Sequence, residues 1–143
     1  MKILNFNDLN KTTQRGIALQ IAEQGLQAVD TKNAVKKSVE FHGGILSVAS
    51  KKFSLDRAKN LIVIGIGKCA IDAISSLSEI LGEMITKGLV LDIREGEKEN
   101  LPKTIECLVG THPLPSDKNV DATNKIISML KGLNQHDLVI YFF

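Results

Sequence analysis

The chain has no tryptophan, 4% aromatic residues, three prolines and two cysteines among its 143 residues. So few aromatic rings leave no stacking platform of the kind that holds single-stranded nucleic acid. Charge of one sign is missing as well, since 18 basic residues stand against 16 acidic ones for a net of +2. That balance supplies no basic field for nucleic acid or an anionic membrane, and the expected partner is a small molecule. Cys69 and Cys107 show neither C-x-x-C nor metal-ligand spacing and fall in apolar stretches. They read as reduced core thiols in a reducing compartment, and no metal site is expected from them.

Long hydrophobic runs are also absent. The two longest, Leu61 to Ile66 and Leu138 to Phe143, fall far short of the ~20 residues of a membrane span. The opening stretch, Met1 to Asp8, turns polar too early for the apolar region of a signal peptide. The expectation is a soluble, cytoplasmic protein. Its hydrophobic fraction of 43% is enough for one core in one ordinary domain.

What is present is an alternation of helical and extended patterns. Ile17, Ile21, Ala22, Leu26 and Val29 recur at helical spacing, and Asp30 can cap a second helix that turns Ala34, Val35 and Val39 inward. His42-Gly43-Gly44 would stop that helix through a glycine cap. A short hairpin follows, Ile45 to Ala49 and Lys52 to Leu55, turning near Ser50-Lys51. Asn60 to Ile64 is a continuous apolar run rich in β-branched residues, as suits a strand covered on both faces. Lys68 to Leu81 reads as the crossover helix, with Ala70, Ile74, Leu77 and Leu81 on one stripe and Gly82 past its end.

Gly88 to Ile93 and Ile105 to Val109 read as further strands, joined through Asp92 to Asn100, a mixed-charge, solvated connection. After Gly110-Thr111-His112-Pro113-Leu114-Pro115, Ser116 or Asp117 caps a helix carrying Val120, Ala122, Ile126, Ile127, Leu130 and Leu133, which ends at Gly132 to Asn134. Asp137 to Phe143 is a fourth apolar strand. The order predicts a three-layer α/β fold with a mostly parallel, Rossmann-like sheet, two leading helices and a short hairpin. The last strand ends in two phenylalanines with nothing to cover it, so the domain reads as cut short at a core strand.

The chemistry concentrates in Gly65-Ile66-Gly67-Lys68-Cys69-Ala70, where a buried strand meets the start of a helix. A helix N-terminus offers unpaired N–H groups and a positive dipole end, glycine permits close approach, and Lys68 adds a full charge, so Gly65, Gly67 and Lys68 form a candidate anion site. It is not a Walker A loop, which needs glycine where Ile62 stands and a hydroxyl where Cys69 stands. It does fit G-x-G-x-x-[GA] with Ala70 last, which keeps a dinucleotide reading open. In that reading Asp92, somewhat beyond the usual ~20 residues, would meet a ribose. Lys68 goes beyond that fingerprint, because a lysine here can neutralise a phosphoryl group or hold a substrate carboxylate. His112, in a proline-stiffened loop at the same end of the sheet, is a second candidate for phosphate or substrate, and the two loops are expected to share one cleft.

In these two loops, and in their order along nearly the whole chain, the sequence resembles the N-terminal part of the class II glycerate kinases. Ala28-Val29-Asp30 followed by Ala34-Val35, and His42-Gly43-Gly44-Ile45-Leu46, add to the similarity. Members also carry the label hydroxypyruvate reductase. The resemblance implies ATP-dependent phosphorylation of D-glycerate to 2-phosphoglycerate, with Mg²⁺ accompanying the nucleotide and Lys68 as the catalytic lysine of the glycine turn. Cys69 stands where alanine is more usual, and Ser116-Asp117 replaces a more common acidic pair. Family enzymes continue beyond the last strand into a serine and glycine-rich loop and a second domain, so residues 1–143 are expected to be inactive alone. Two other expectations stay open: an NAD(P)-dependent hydroxypyruvate reductase or nucleotide-binding module, and a non-catalytic domain forming a homodimer through its uncovered sheet.

Overall fold

A computed structural model describes residues 1–94 and 101–143. Most of the connection expected from Asp92 to Asn100 therefore lies outside the described residues. The chain opens with a single helical turn, α1 (Phe6–Leu9), followed by α2 (Thr13–Ala28) and α3 (Thr31–Ser38). Thr12 caps α2 by accepting the Arg15 N–H at 3.3 Å; the Asp30 carboxylate, the expected cap, accepts the Asn33 N–H at 2.9 Å at the start of α3. The apolar stripe of α2 faces water: Ile17 is 54% exposed and Ile21 69%. Its buried residue is instead Glu23, whose carboxylate accepts the N–H groups of Lys2 and Ile3 at 2.6 and 2.8 Å and the Gln27 amide at 2.9 Å. A carboxylate that gathers three donors can be buried where an unpaired one could not.

The second helix stops earlier than its spacing suggests. Val39–His42 is a strand, β1, and it pairs with β2 (Ile45–Val48), which pairs in turn with β3 (Lys51–Ser54). Gly43-Gly44 is the hairpin turn between β1 and β2 rather than a helix cap. Both glycines have positive φ, +55° and +75°, which is what a two-residue turn between right-twisted strands requires. Val39 and Phe41 alternate with exposed Glu40 and His42, so the segment satisfies a strand as readily as the end of a helix. The second turn falls at Ala49-Ser50, one position before the expected one, and the predicted hairpin is thus part of a three-stranded antiparallel meander.

The main sheet is formed by β4 (Asn60–Ile66), β5 (Lys87–Asp92), β6 (Ile105–Val109) and β7 (Asp137–Phe142), all parallel, in the order β6-β5-β4-β7. The helix α4 (Ala70–Leu81) joins β4 to β5, and α5 (Asp117–Leu130) joins β6 to β7. Successive residues of β4 feed opposite faces. Leu61 and Val63 pack with Ala70, Ile74 and Leu77 of α4, while Ile62 and Ile64 pack with Ala122 and Ile126 of α5. This is the expected three-layer α/β fold. On the α4 side, α3 adds a further helix held by ion pairs from Lys32 to Asp72 at 3.5 Å and from Lys36 to Glu79 at 2.7 Å. The order reverses direction at β4, which leads first to β5 on one side and later to β7 on the other. A crevice at the carboxyl ends of such strands is where ligands bind in this architecture.

Candidate functional site

The glycine turn leaves β4 at that crevice. A Cβ on Gly65 would lie 2.7 Å from Ile74 Cγ1 and 3.3 Å from the Ala70 Cβ, so glycine here lets α4 lie against the strand. Gly67 has φ +123° with open space around it, so its need for glycine is one of backbone shape. Its N–H donates to the Leu91 carbonyl of β5 at 2.9 Å, and its own carbonyl accepts the Ala70 N–H at 3.1 Å. Lys68 and Cys69 are exposed, with Cys69 as the residue that precedes the first turn of α4. Cys69 is therefore a surface thiol on the turn rather than a core one, whereas Cys107 is half-buried against the core on the α4 side. Among the described residues the Lys68 ammonium has no ion-pair partner.

Asp92, at the carboxyl end of β5, is 1% exposed. Its carboxylate accepts the Ile71 N–H of α4 at 3.1 Å, the Ile93 N–H at 2.7 Å and the Arg94 Nη2 at 3.1 Å. Burial works to raise its pKa, but Arg94 and these N–H donors outweigh burial and hold the carboxyl below its usual range. The acid that would meet a ribose in the dinucleotide reading is buried and fully engaged in holding α4 and Arg94.

The second loop, Gly110 to Pro115, is organised by a residue that the sequence did not single out. Asn119, in the first turn of α5, accepts the N–H groups of Thr111 and Ser116 through Oδ1, each at 3.0 Å, and donates from Nδ2 to the Thr111 carbonyl at 3.3 Å. Its only sequence signal is its place three residues after the cap Ser116, the position of the partner in a capping box. The His112–Pro113 peptide is cis. His112 is exposed at the loop's tip, whereas His42 lies on β1 and His136 just before β7, both outside the cleft.

The two loops do share a cleft. Gly67, Lys68, Asp92, Gly110, Thr111, His112 and Asn119 are among the residues lining a volume of about 130 Å³ at the carboxyl end of the sheet. Gly65 lies beneath it as the packing glycine of the turn. A larger cleft of about 280 Å³ runs between α3, α4 and β7, but its walls, such as Val35, Ile74, Leu77 and Ile140, carry no charged side chain. The smaller cleft brings together the Lys68 ammonium, the His112 imidazole and a glycine turn at the carboxyl ends of the strands, which is chemistry suited to an anionic ligand. Among the described residues no group of three His, Cys, Asp or Glu side chains could hold a metal ion. No described helix is long and apolar enough to cross a membrane.

Sheet order and connectivity define a Rossmann-like α/β domain with a cationic glycine turn at the carboxyl ends of its strands. The chain belongs to the family described as a domain of unknown function, DUF4147, which matches residues 17–143. It is 32% identical over 139 residues to a glycerate 2-kinase of Picrophilus torridus, covering 96% of this chain and 31% of that protein. It is 26% identical over 125 residues to a D-glycerate 2-kinase of Thermotoga maritima, covering 87% of this chain and 26% of that protein. The fold is shared with the PH0495 protein from Pyrococcus horikoshii OT3, with a TM-score of 0.75 at 23% identity over 91% of this chain and 28% of that one. It is also shared with a glycerate kinase from Thermotoga maritima, with a TM-score of 0.65 at 23% identity over 87% of this chain and 26% of that one. The likeness to glycerate kinases seen in the sequence thus holds across most of the chain, which spans less than a third of the length of these relatives.

Proposed function

We propose that this chain is the N-terminal part of an ATP-dependent glycerate 2-kinase and contributes one wall of its active-site cleft. The observation that carries the reading is the meeting of Lys68 and His112 on one cleft, in a chain 32% identical over 96% of its length to a glycerate 2-kinase. In the reaction, the 2-hydroxyl oxygen of D-glycerate bonds to the γ-phosphorus of ATP while the bridging bond to the β-phosphate breaks and the hydroxyl proton is released to water, giving 2-phosphoglycerate, ADP and H⁺. Negative charge spreads over the transferred group, and an exposed, unpaired lysine on a glycine turn is placed to offset it. Lys68 takes that catalytic role; Gly65 and Gly67 shape the turn, and His112 binds the phosphate or the substrate. Mg²⁺ accompanies the nucleotide, bound chiefly through phosphate oxygens, as is usual for that ion.

One wall positions substrate and nucleotide only in part, so residues 1–143 alone have no measurable kinase activity in this reading. Calorimetric titration with ATP, D-glycerate and NADH tests it. ATP binds, NADH does not, and Lys68→Ala weakens ATP binding by about tenfold, the order expected for one charge-assisted contact. Binding of NADH with none of ATP would overturn the assignment. ADP release that depends on D-glycerate, and is lost in Lys68→Ala, would overturn the inactivity of the isolated chain.

A further inference from the structure

The N-terminal end of α4 is already occupied by an anion belonging to the protein. A helix N-terminus at a strand-to-helix turn ordinarily receives the phosphate of a ligand on its free N–H groups. Here the Ile71 N–H donates to the Asp92 carboxylate at 3.1 Å. The Ala70 N–H is also taken, by the Gly67 carbonyl at 3.1 Å. The same carboxylate accepts the Arg94 guanidinium, which extends to Asp72 in the first turn of α4 at 2.9 Å, and Asp72 pairs with Lys32 of α3 at 3.5 Å. A continuous row of charges, Asp92, Arg94, Asp72 and Lys32, therefore clamps the first turn of α4 between β5 and α3. The glycine turn is tied to the same strand one residue earlier, through Gly67 N–H and the Leu91 carbonyl.

We propose that Asp92 is a positioning residue: its carboxylate fills the helix end, fixes the Gly65–Lys68 turn, and leaves Lys68, rather than the buried helix N–H groups, to receive the ligand's phosphate. The inference rests on the reading of the cleft as a phosphate-binding one. Charge and positioning predict opposite signs, which makes them separable. A buried negative charge repels an incoming phosphate, so if Asp92 contributed charge alone, its neutralisation would strengthen anion binding. If it holds the turn, neutralisation weakens binding, because Lys68 loses its fixed place.

The test uses Asp92→Asn in the 143-residue chain, followed by amide hydrogen exchange without ligand and by ATP titration. The expected result is exchange faster by about fivefold or more at Gly67 to Ile71, with Ile62 and Leu89 of the sheet unchanged, as for a local rather than global opening. ATP binding weakens by about tenfold, the effect of losing one well-placed charged contact. Turn amides that exchange as in the unmodified chain, or ATP that binds more tightly, would overturn the proposal. If the unmodified chain binds no ATP, the reading of the cleft fails and the exchange rates alone decide the role of Asp92. Should Asp92→Asn not fold, Arg94→Gln removes the guanidinium from the clamp without touching the core, and the same two measurements apply with smaller changes in the same directions.

Discussion

Gly65 is the place where sequence, packing and the site meet most tightly, and Gly65→Ala tests that junction. The added Cβ would lie 2.7 Å from Ile74 Cγ1, 3.3 Å from the Ala70 Cβ and 3.4 Å from the Ala70 carbonyl oxygen. Carbon pairs are comfortable at ~3.5–4.0 Å, so the first contact is short by roughly 1 Å. Ile74 is 0% exposed and cannot swing aside, which leaves α4 to back away from β4 at its first turns. Overpacking of this kind costs ~1–3 kcal/mol, against which the stiffer unfolded chain returns ~0.4–1 kcal/mol. A net loss of about 1–2 kcal/mol follows, or a melting temperature lower by roughly 3–8 °C for a domain of this size. Urea unfolding followed by circular dichroism reads the loss as a lower midpoint at unchanged slope. The decisive arm is a double-mutant cycle with Ile74→Ala, which removes the Cγ1 that is struck. In that background Gly65→Ala should cost nothing or stabilise slightly. An equal cost in both backgrounds would refute the steric account and point to the strand's own backbone.

Two further outcomes follow from the geometry. The carboxyls of Glu23, Asp30, Asp92 and Asp137 all titrate below their ordinary values in the fold, held down by hydrogen bonds from backbone N–H groups and from side chains such as Lys2, Gln27, Asn60 and Arg94. Groups depressed in the folded state contribute stability that is fully present above their unfolded values of ~4 and is lost as the pH falls through the folded values. Urea midpoints should therefore be flat from about pH 7 to 5 and drop below about pH 4, with a shallower drop in Asp92→Asn; a midpoint that rises on acidification would contradict this. Cys69 is exposed and Cys107 half-buried, so a thiol reagent should modify Cys69 at least about tenfold faster, and ATP should slow that step. Equal rates would mean that the turn is closed or that β6 is open.

The parts of the fold that could be read from sequence are those in which one residue pattern admits one solution. Leu61 to Ile64 is apolar at every position because both faces of β4 are covered, and Gly82, at φ +54°, stands where α4 stops. Val39 is different. It continues the spacing of Val35 along a helix and equally begins the alternation of β1, and the choice is made by pairing with Val48, far outside any local window. Helical spacing in α2 likewise reports an apolar side without saying which way it faces. The interior position went to Glu23 because the backbone of Lys2 and Ile3 folds back to satisfy it. In the cleft, Lys68 and His112 were visible as unusual residues in glycine and proline settings. Asn119 signals itself only by its capping-box place after Ser116, and the hydrogen bonds by which Asp92 holds α4 and Asn119 holds Thr111 join other segments, which spacing along the chain does not record.

The strand order carries a metrical consequence. Lys68 follows β4 and His112 follows β6, and a single strand, β5, lies between them. Neighbouring strands sit ~4.8 Å apart, so the roots of the two loops are separated by about 10 Å, a span set by backbone ladders. Side-chain substitutions can change the sign or reach of either wall, yet they leave that interval alone. The sheet acts as a caliper, and any ligand that touches both loops at once must bridge the width of one strand.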